Sequence, residues 1–256
     1  MPVEPRLELV ALRAFPSVGK GDDLASLIVA SAANSGFAFA DGDVVVVAQK
    51  IVSKSEDRFV DLASIEPSPH ANELAASTGK DARLVQVILD ESRRVLRARP
   101  DVLIVEHRQG YVVANAGVDQ SNVGDANGEL ALRLPEDADA SARALCAGLE
   151  MQIGKRIGVV INDSFGRAWR LGTVGVAIGA AGLPAIVDRR GCPDMFGRTL
   201  RSTIIGYADE IAAAASLLMG QADEGRPVVV VRGLDWSAPA TPASALIRPE
   251  TEDLFR

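Results

Sequence analysis

Four short runs of β-branched and aliphatic residues punctuate the chain: VVVVA at 44–48, VLIVE at 102–106, IGVVI at 157–161 and VVVV at 228–231. Runs of this length and type form strands, and VVVVA, apolar at every position, has the pattern of a strand buried in a sheet. Helical periodicity falls between them. Asp22-Asp23 can cap a helix that carries Leu24, Leu27, Ile28 and Ser31 on one face and stops near Asn34 to Gly36. Further helices are expected over about 70–77, over 135–151 with Ala142, Leu145 and Leu149 on one face, and from Asp209 to Met219. The apolar stretch LVQVIL lies at 84–89, followed by a basic patch at Arg93-Arg94. Gly110 turns the chain from VLIVE into YVVANAG, a hairpin signature, so part of the sheet is antiparallel. Hairpins mixed with crossover units predict an α+β protein. The expected unit is one chain, 1–256, of two intimately packed subdomains with mixed or antiparallel sheets and flanking helices, its internal boundary not fixed by the Pro- and Gly-rich joints.

A net charge of −7 and the absence of any lysine or arginine run argue against a nucleic-acid partner. No window approaches the roughly 18 apolar residues of a membrane span, and MPVEPRLELV lacks the basic start and apolar core of a signal peptide. A cytoplasmic protein is expected, with no membrane partner. Cys146 and Cys192 have no metal-ligand spacing and read as ordinary thiols.

The familiar catalytic loops are missing. There is no GxxxxGK[ST], GxSxG or HExxH, and Gly175, Gly179 and Gly182 have the wrong spacing for a dinucleotide fingerprint. His70 and His107 stand in neither a triad nor a ligand cluster and read as surface or structural histidines. Two polar clusters follow apolar strands: Asn115 to Asn122, containing Asp119, and Asn162-Asp163-Ser164. Carboxylate and hydroxyl oxygens without sulfur or imidazole suit magnesium or manganese, although a pair of Asx turns accounts for the same residues. Residues 165–201 carry six arginines against two aspartates, an anion trap inside an acidic chain. Within it Arg167 and Arg170 bracket Trp169, and a guanidinium beside an aromatic suits phosphate or carboxylate. Lys50 and Lys54, just past VVVVA, could meet phosphate oxygens or be ordinary exposed lysines. The loop Met219 to Pro227 reads first as a helix C-cap and connection.

Taken together, DGDVVVVAQKIVSKSE, ANAGVDQSNVG, INDSFGRAWRLGTVGVAIGAAGLPAIVD and ADEIAAAASLLMGQADEGRPVVVVRG resemble the F420-0:γ-glutamyl ligase family, over residues from about 8 to 235. The resemblance implies a GTP-dependent amide ligase that adds L-glutamate to the lactyl carboxylate of F420-0 and can extend a γ-linked tail on F420-n. It further implies manganese or magnesium at two sites, potassium as activator, and a homodimer with the nucleotide in a groove between subdomains. Carried over by motif, Asp119 and Asp163 look like ligands of one metal, and Ser164 with Gln221 like contacts of the second. Phe15, Pro16, Ser17, Val18, Gln49, Lys50, Lys54, Asn122, Met219, Gly220, Gln221, Ala222, Asp223, Glu224, Gly225 and Arg226 look like the GTP contacts. Ser164 stands where relatives often have threonine, and Gln49 where a small hydroxyl residue is common.

On that resemblance the γ-phosphoryl of GTP passes to the lactyl carboxylate, and the glutamate amine attacks the acyl phosphate. Asp119 and Asp163 serve catalysis as metal ligands, while Arg167 and Arg170 hold the anionic acceptor or the incoming glutamate. Spacing does not choose among Lys50, a metal-bound hydroxide and solvent as the base. The competing readings are the same chemistry on another carboxylate, and a non-catalytic nucleotide or deazaflavin binder.

Overall fold

The computed structural model describes residues 5–124 and 128–253. The first residues of the N-terminal stretch and the end of the polar C-terminal tail lie outside the described residues. In chain order the strands are β1 (Glu8–Ala11), β2 (Val44–Ala48), β3 (Phe59–Asp61), β4 (Ser92–Arg99), β5 (Val102–His107), β6 (Val112–Ala114), β7 (Leu130–Leu132), β8 (Gly158–Arg167), β9 (Arg170–Ala181), β10 (Val187–Asp188), β11 (Ile204–Ile205) and β12 (Val228–Arg232). The helices are α1 (Leu24–Asn34), α2 (Gln49–Ser55), α3 (Pro69–Thr78), α4 (Ala82–Asp90), α5 (Ala138–Ile153) and α6 (Tyr207–Met219).

The main sheet has the order β1-β12-β2-β8-β9, with β2 and β8 parallel and the other neighbours antiparallel. Val44 to Val47 are all fully buried because both faces are covered. Val45 and Val47 pack with α1 and α5, while Val44 and Val46 pack with α6. That two-sided burial is why the run shows no polar alternation. Each such side chain removed from water contributes about 1.5–3 kcal/mol before its entropy cost. A separate cluster of Leu62, Val85, Ile88, Leu103, Val105, Val118 and Ala131 lies under α3, α4, the β4-β5-β6 meander and the β3-β7 ribbon. The architecture is α+β with several sheets, as the mixture of hairpins and crossovers predicts.

LVQVIL lies in α4, capped by the Asp81 side chain, and Arg93 and Arg94 lie on β4, where both meet the Glu106 carboxylate. The three mid-chain glycines are packing devices. A Cβ on Gly175 would overlap Ser216 Oγ and Ala212 O on α6, one on Gly179 would overlap Ala138 O on α5, and one on Gly182 would overlap Ile157 O. The helix expected over 135–151 runs from Ala138 to Ile153, and a larger difference lies in β8. Asn162-Asp163-Ser164 does not leave a strand: β8 continues through Arg167, because β9 offers an antiparallel ladder well past the apolar run. The chain turns at Ala168 and Trp169, the latter at φ +59°.

Candidate active site

The parallel pair β2 and β8 brings the site together. Ala48 lies opposite Asn162, so the first turn of α2, with Gln49 and Lys50, sits beside Asp163 and Ser164. Crevices at the carboxyl ends of parallel strands are where open α/β sheets bind ligands. Here the Phe15 to Val18 segment and the Met219 to Pro227 loop close the sides of a cleft of about 460 Å³. Gln49, Lys50, Lys54, Asn122, Asp163 and Ser164 line it too, so those six motif residues share one cleft with both segments. Asp119 reaches the cleft through Lys50, whose Nζ lies 2.8 Å from Asp119 Oδ2. Arg167 and Arg170 are not in its lining: they sit at the exposed tip of the β8-β9 hairpin.

Hydrogen bonds lace the cleft walls together. Lys54 Nζ donates to Asn122 O at 2.6 Å, Asn122 Nδ2 to Ala222 O at 3.1 Å, and Ser164 Oγ to Gln221 Oε1 at 2.7 Å. Asp119 Oδ1 accepts from Ser121 N at 2.7 Å, so the Asx turn read in the sequence is present and coexists with a place at the site. Asn115, Ala116 and Asn122 all have left-handed φ, +54°, +53° and +56°. Non-glycine residues in that region cost energy and concentrate at functional segments.

The two carboxylates differ in their electrostatics. Burial pushes Asp163 up to about 6, helped by the neighbouring Asp119 charge and opposed by the Ser164 N–H and Lys50. Its carboxyl opens partly onto the cleft, but protein surrounds it on the other sides. Burial also pushes Asp119 up, yet the Lys50 ammonium and the Ser121 N–H and hydroxyl outweigh that and hold it below its ordinary range. Lys54 is held below its ordinary value by burial and by the Lys50 charge.

Asn162 was legible only as part of a cluster, and its role emerges from the fold. It is buried, its Nδ2 donates to Ser216 Oγ at 3.0 Å, and its Oδ1 has no hydrogen-bond partner. A lone serine inside the alanine-rich α6 was the available signal. His107 is a buried histidine stacked on Tyr111 and 3.6 Å from Glu91, and His70 is exposed, consistent with structural and surface roles. Cys146 is a buried thiol that burial pushes up to about 11, and both cysteines are free.

The model of the F420-0:Gamma-glutamyl ligase family matches residues 13–233. The chain belongs to the F420-0:gamma-glutamyl ligase family. Among the curated relatives it resembles are the coenzyme F420:L-glutamate ligases of Methanothermobacter thermautotrophicus, 45% identical over 98% of this chain and 99% of the relative, and of Methanopyrus kandleri, 47% identical over 98% of each. The Archaeoglobus fulgidus ligase is 43% identical over 98% of this chain and 97% of its own length.

Within this F420-0:gamma-glutamyl ligase fold, the oxygen donors can be tested against a divalent cation. No group of three histidine, cysteine, aspartate or glutamate side chains gathers among the described residues. The candidate donors are two carboxylates, Asp119 and Asp163, with the Ser164 hydroxyl and the Gln221 amide oxygen. All are hard oxygens, the class that magnesium and manganese take while keeping positions for substrate oxygens. The Lys50 ammonium 2.8 Å from Asp119 Oδ2 puts a positive charge on one of these carboxylates, and the donor chemistry of the residues fits such a cation. No described helix is long and apolar enough to cross a membrane.

Proposed function

We propose that this chain is a GTP-dependent ligase that adds L-glutamate to the lactyl carboxylate of F420-0 and extends a γ-linked tail. The observation that carries the reading is the convergence, at the carboxyl ends of β2 and β8, of Asp163, Ser164, Lys50, Lys54 and the Met219 to Arg226 loop around one cleft. Family membership and the relatives' names supply the acceptor and the amino acid.

In this reading Lys50, Lys54, Asn122 and the loop hold the nucleotide, and its γ-phosphoryl passes to a carboxylate oxygen of the acceptor with GDP leaving. The glutamate amine then forms the amide bond, the carbonyl–phosphate bond breaks, and the amine proton goes to solvent. Asp119, Asp163, Ser164 and Gln221 would hold manganese or magnesium, which neutralises crowded phosphate oxygens when bound. Potassium is the expected activator. Arg167 and Arg170 would hold the far end of the anionic acceptor, which must then lie along the β8-β9 arm. The chain works as one unit of two subdomains, with Asp119 contributed from beside the Leu62 and Leu103 cluster, and as a homodimer.

Incubation with F420-0, GTP, L-glutamate, manganese and potassium, followed by mass spectrometry, tests this. Glutamate-sized additions with matching GDP release are expected. GDP release without additions would move the proposal to another carboxylate acceptor, and neither product would leave a binding protein.

A further inference from the structure

One of the carboxylates that would receive a divalent cation already holds an ammonium. Lys50 Nζ lies 2.8 Å from Asp119 Oδ2, 2.7 Å from Ser121 Oγ and 3.1 Å from the Ser121 carbonyl. Lys54, one turn further along α2, is placed differently: its Nζ donates to Asn122 O and makes no ion pair with Asp119 or Asp163. Both lysines line the cleft. Lys50 therefore neutralises Asp119, while Lys54 ties α2 to the 119–122 segment.

An ammonium on Asp119 Oδ2 and a divalent cation on the same carboxylate would repel at close range. The lysine stem is flexible and its charge is a compact point that can be re-aimed. Turned from Asp119 into the cleft, Lys50 would approach Lys54, an unfavourable move unless an anion is there to receive it.

We infer that Lys50 is an exchangeable counter-ion: it neutralises Asp119 in the metal-free protein and moves to the nucleotide phosphates when a divalent cation takes Asp119. The inference rests on the metal and nucleotide roles proposed above. Its consequence is positive coupling between the two ligands, because whatever draws Lys50 off Asp119 favours the other partner, and such coupling is reciprocal.

Binding of Mn2+ alone to the full chain, read from the electron paramagnetic resonance signal of free Mn2+, tests the exchange. Lys50→Met should bind Mn2+ about tenfold more tightly than the unmodified protein, whereas Lys54→Met, which removes the same charge without that contact, should change affinity less than about threefold. Asp119→Asn should lose Mn2+ affinity but bind GDP in the presence of a chelator at least about threefold more tightly, since Lys50 is released; this calorimetric measurement needs no lysine variant. The proposal is overturned if Lys50→Met binds Mn2+ no more tightly than the unmodified protein, if Lys54→Met tightens it equally, or if Asp119→Asn leaves metal-free GDP affinity unchanged. Loss of Mn2+ binding in Asp119→Asn without tightening in Lys50→Met would overturn the exchange and keep the metal site. Mn2+ binding that Asp119→Asn does not alter would overturn the metal reading itself.

Discussion

Asp163 shows how one residue can cost the fold something and serve the site. Its Oδ1 accepts from Ser164 N at 2.8 Å, but burial and the Asp119 charge still raise it from 3.8 to about 6. Between those values the folded chain keeps a proton that the unfolded chain has released, so this residue's contribution to stability falls as pH rises from 3.8 to about 6 and stays low above that. Asparagine keeps an oxygen for the Ser164 N–H and has no charge to desolvate. Asp163→Asn should therefore abolish ligase turnover while stabilising the metal-free protein at pH 7, by on the order of 2 kcal/mol. Urea unfolding with chelator, from pH 4 to 8, should show the difference between the two proteins growing with pH and levelling off. A variant that is less stable at pH 7 would refute the account. At this scale the sequence was informative about chemistry but not about pairing. Asp119 and Asp163 stood out as carboxylates after strands, whereas nothing in the order of residues showed that Lys50 Nζ would sit on Asp119 across 69 positions of chain.

At the scale of elements, the apolar runs were readable because burial on two faces leaves an unbroken valine pattern. The outer half of β8 was not readable, because Asn162, Asp163, Ser164 and Gly166 carry no strand preference and are extended only through pairing with β9. The glycines of β9 were visible, but their purpose needed the helices. Gly175 lets α6 approach closely enough for Ser216 to meet Asn162, and α6 delivers the Met219 to Arg226 loop to the cleft. Gly175→Ala should push α6 away from the hairpin, at a cost of about 1–3 kcal/mol, and should weaken nucleotide binding as the loop shifts. Gly166→Ala, on the neighbouring strand, meets nothing within 4 Å and should stay within about 0.5 kcal/mol of the unmodified protein. Thermal melting and GDP titration of both variants separate packing from a general intolerance of the hairpin. Equal losses in the two would count against the close-approach argument.

For the whole molecule, the tip of the β8-β9 hairpin and the segment between β10 and β11 are two stretches exposed to solvent. β9 is an edge strand of the main sheet; Leu171 at its start is 100% exposed, and Met195 and Phe196 are 96% and 94% exposed. Residue type alone does not set their exposure: the fold places Leu171 ahead of the part of β9 that helices cover. Exposed large apolar groups in such stretches favour association, and an interface between copies is the expected cover. The segment 165–201 also carries the local excess of arginine in a chain whose net charge is −7, so in such an association it would meet a body of opposite sign. Light scattering should give twice the 26.9 kDa chain mass. Leu171→Glu combined with Phe196→Glu should give the mass of one chain with an unchanged melting profile at low concentration, because neither side chain contributes to the buried core of a single chain. A double variant that keeps the doubled mass would move the interface elsewhere, and an unmodified protein of single mass would remove the homodimer from the proposal. If association places the arginine-bearing tips against a neighbour's body, the double variant should also lose acceptor affinity before it loses GDP affinity, which binding measurements on each ligand separately would reveal.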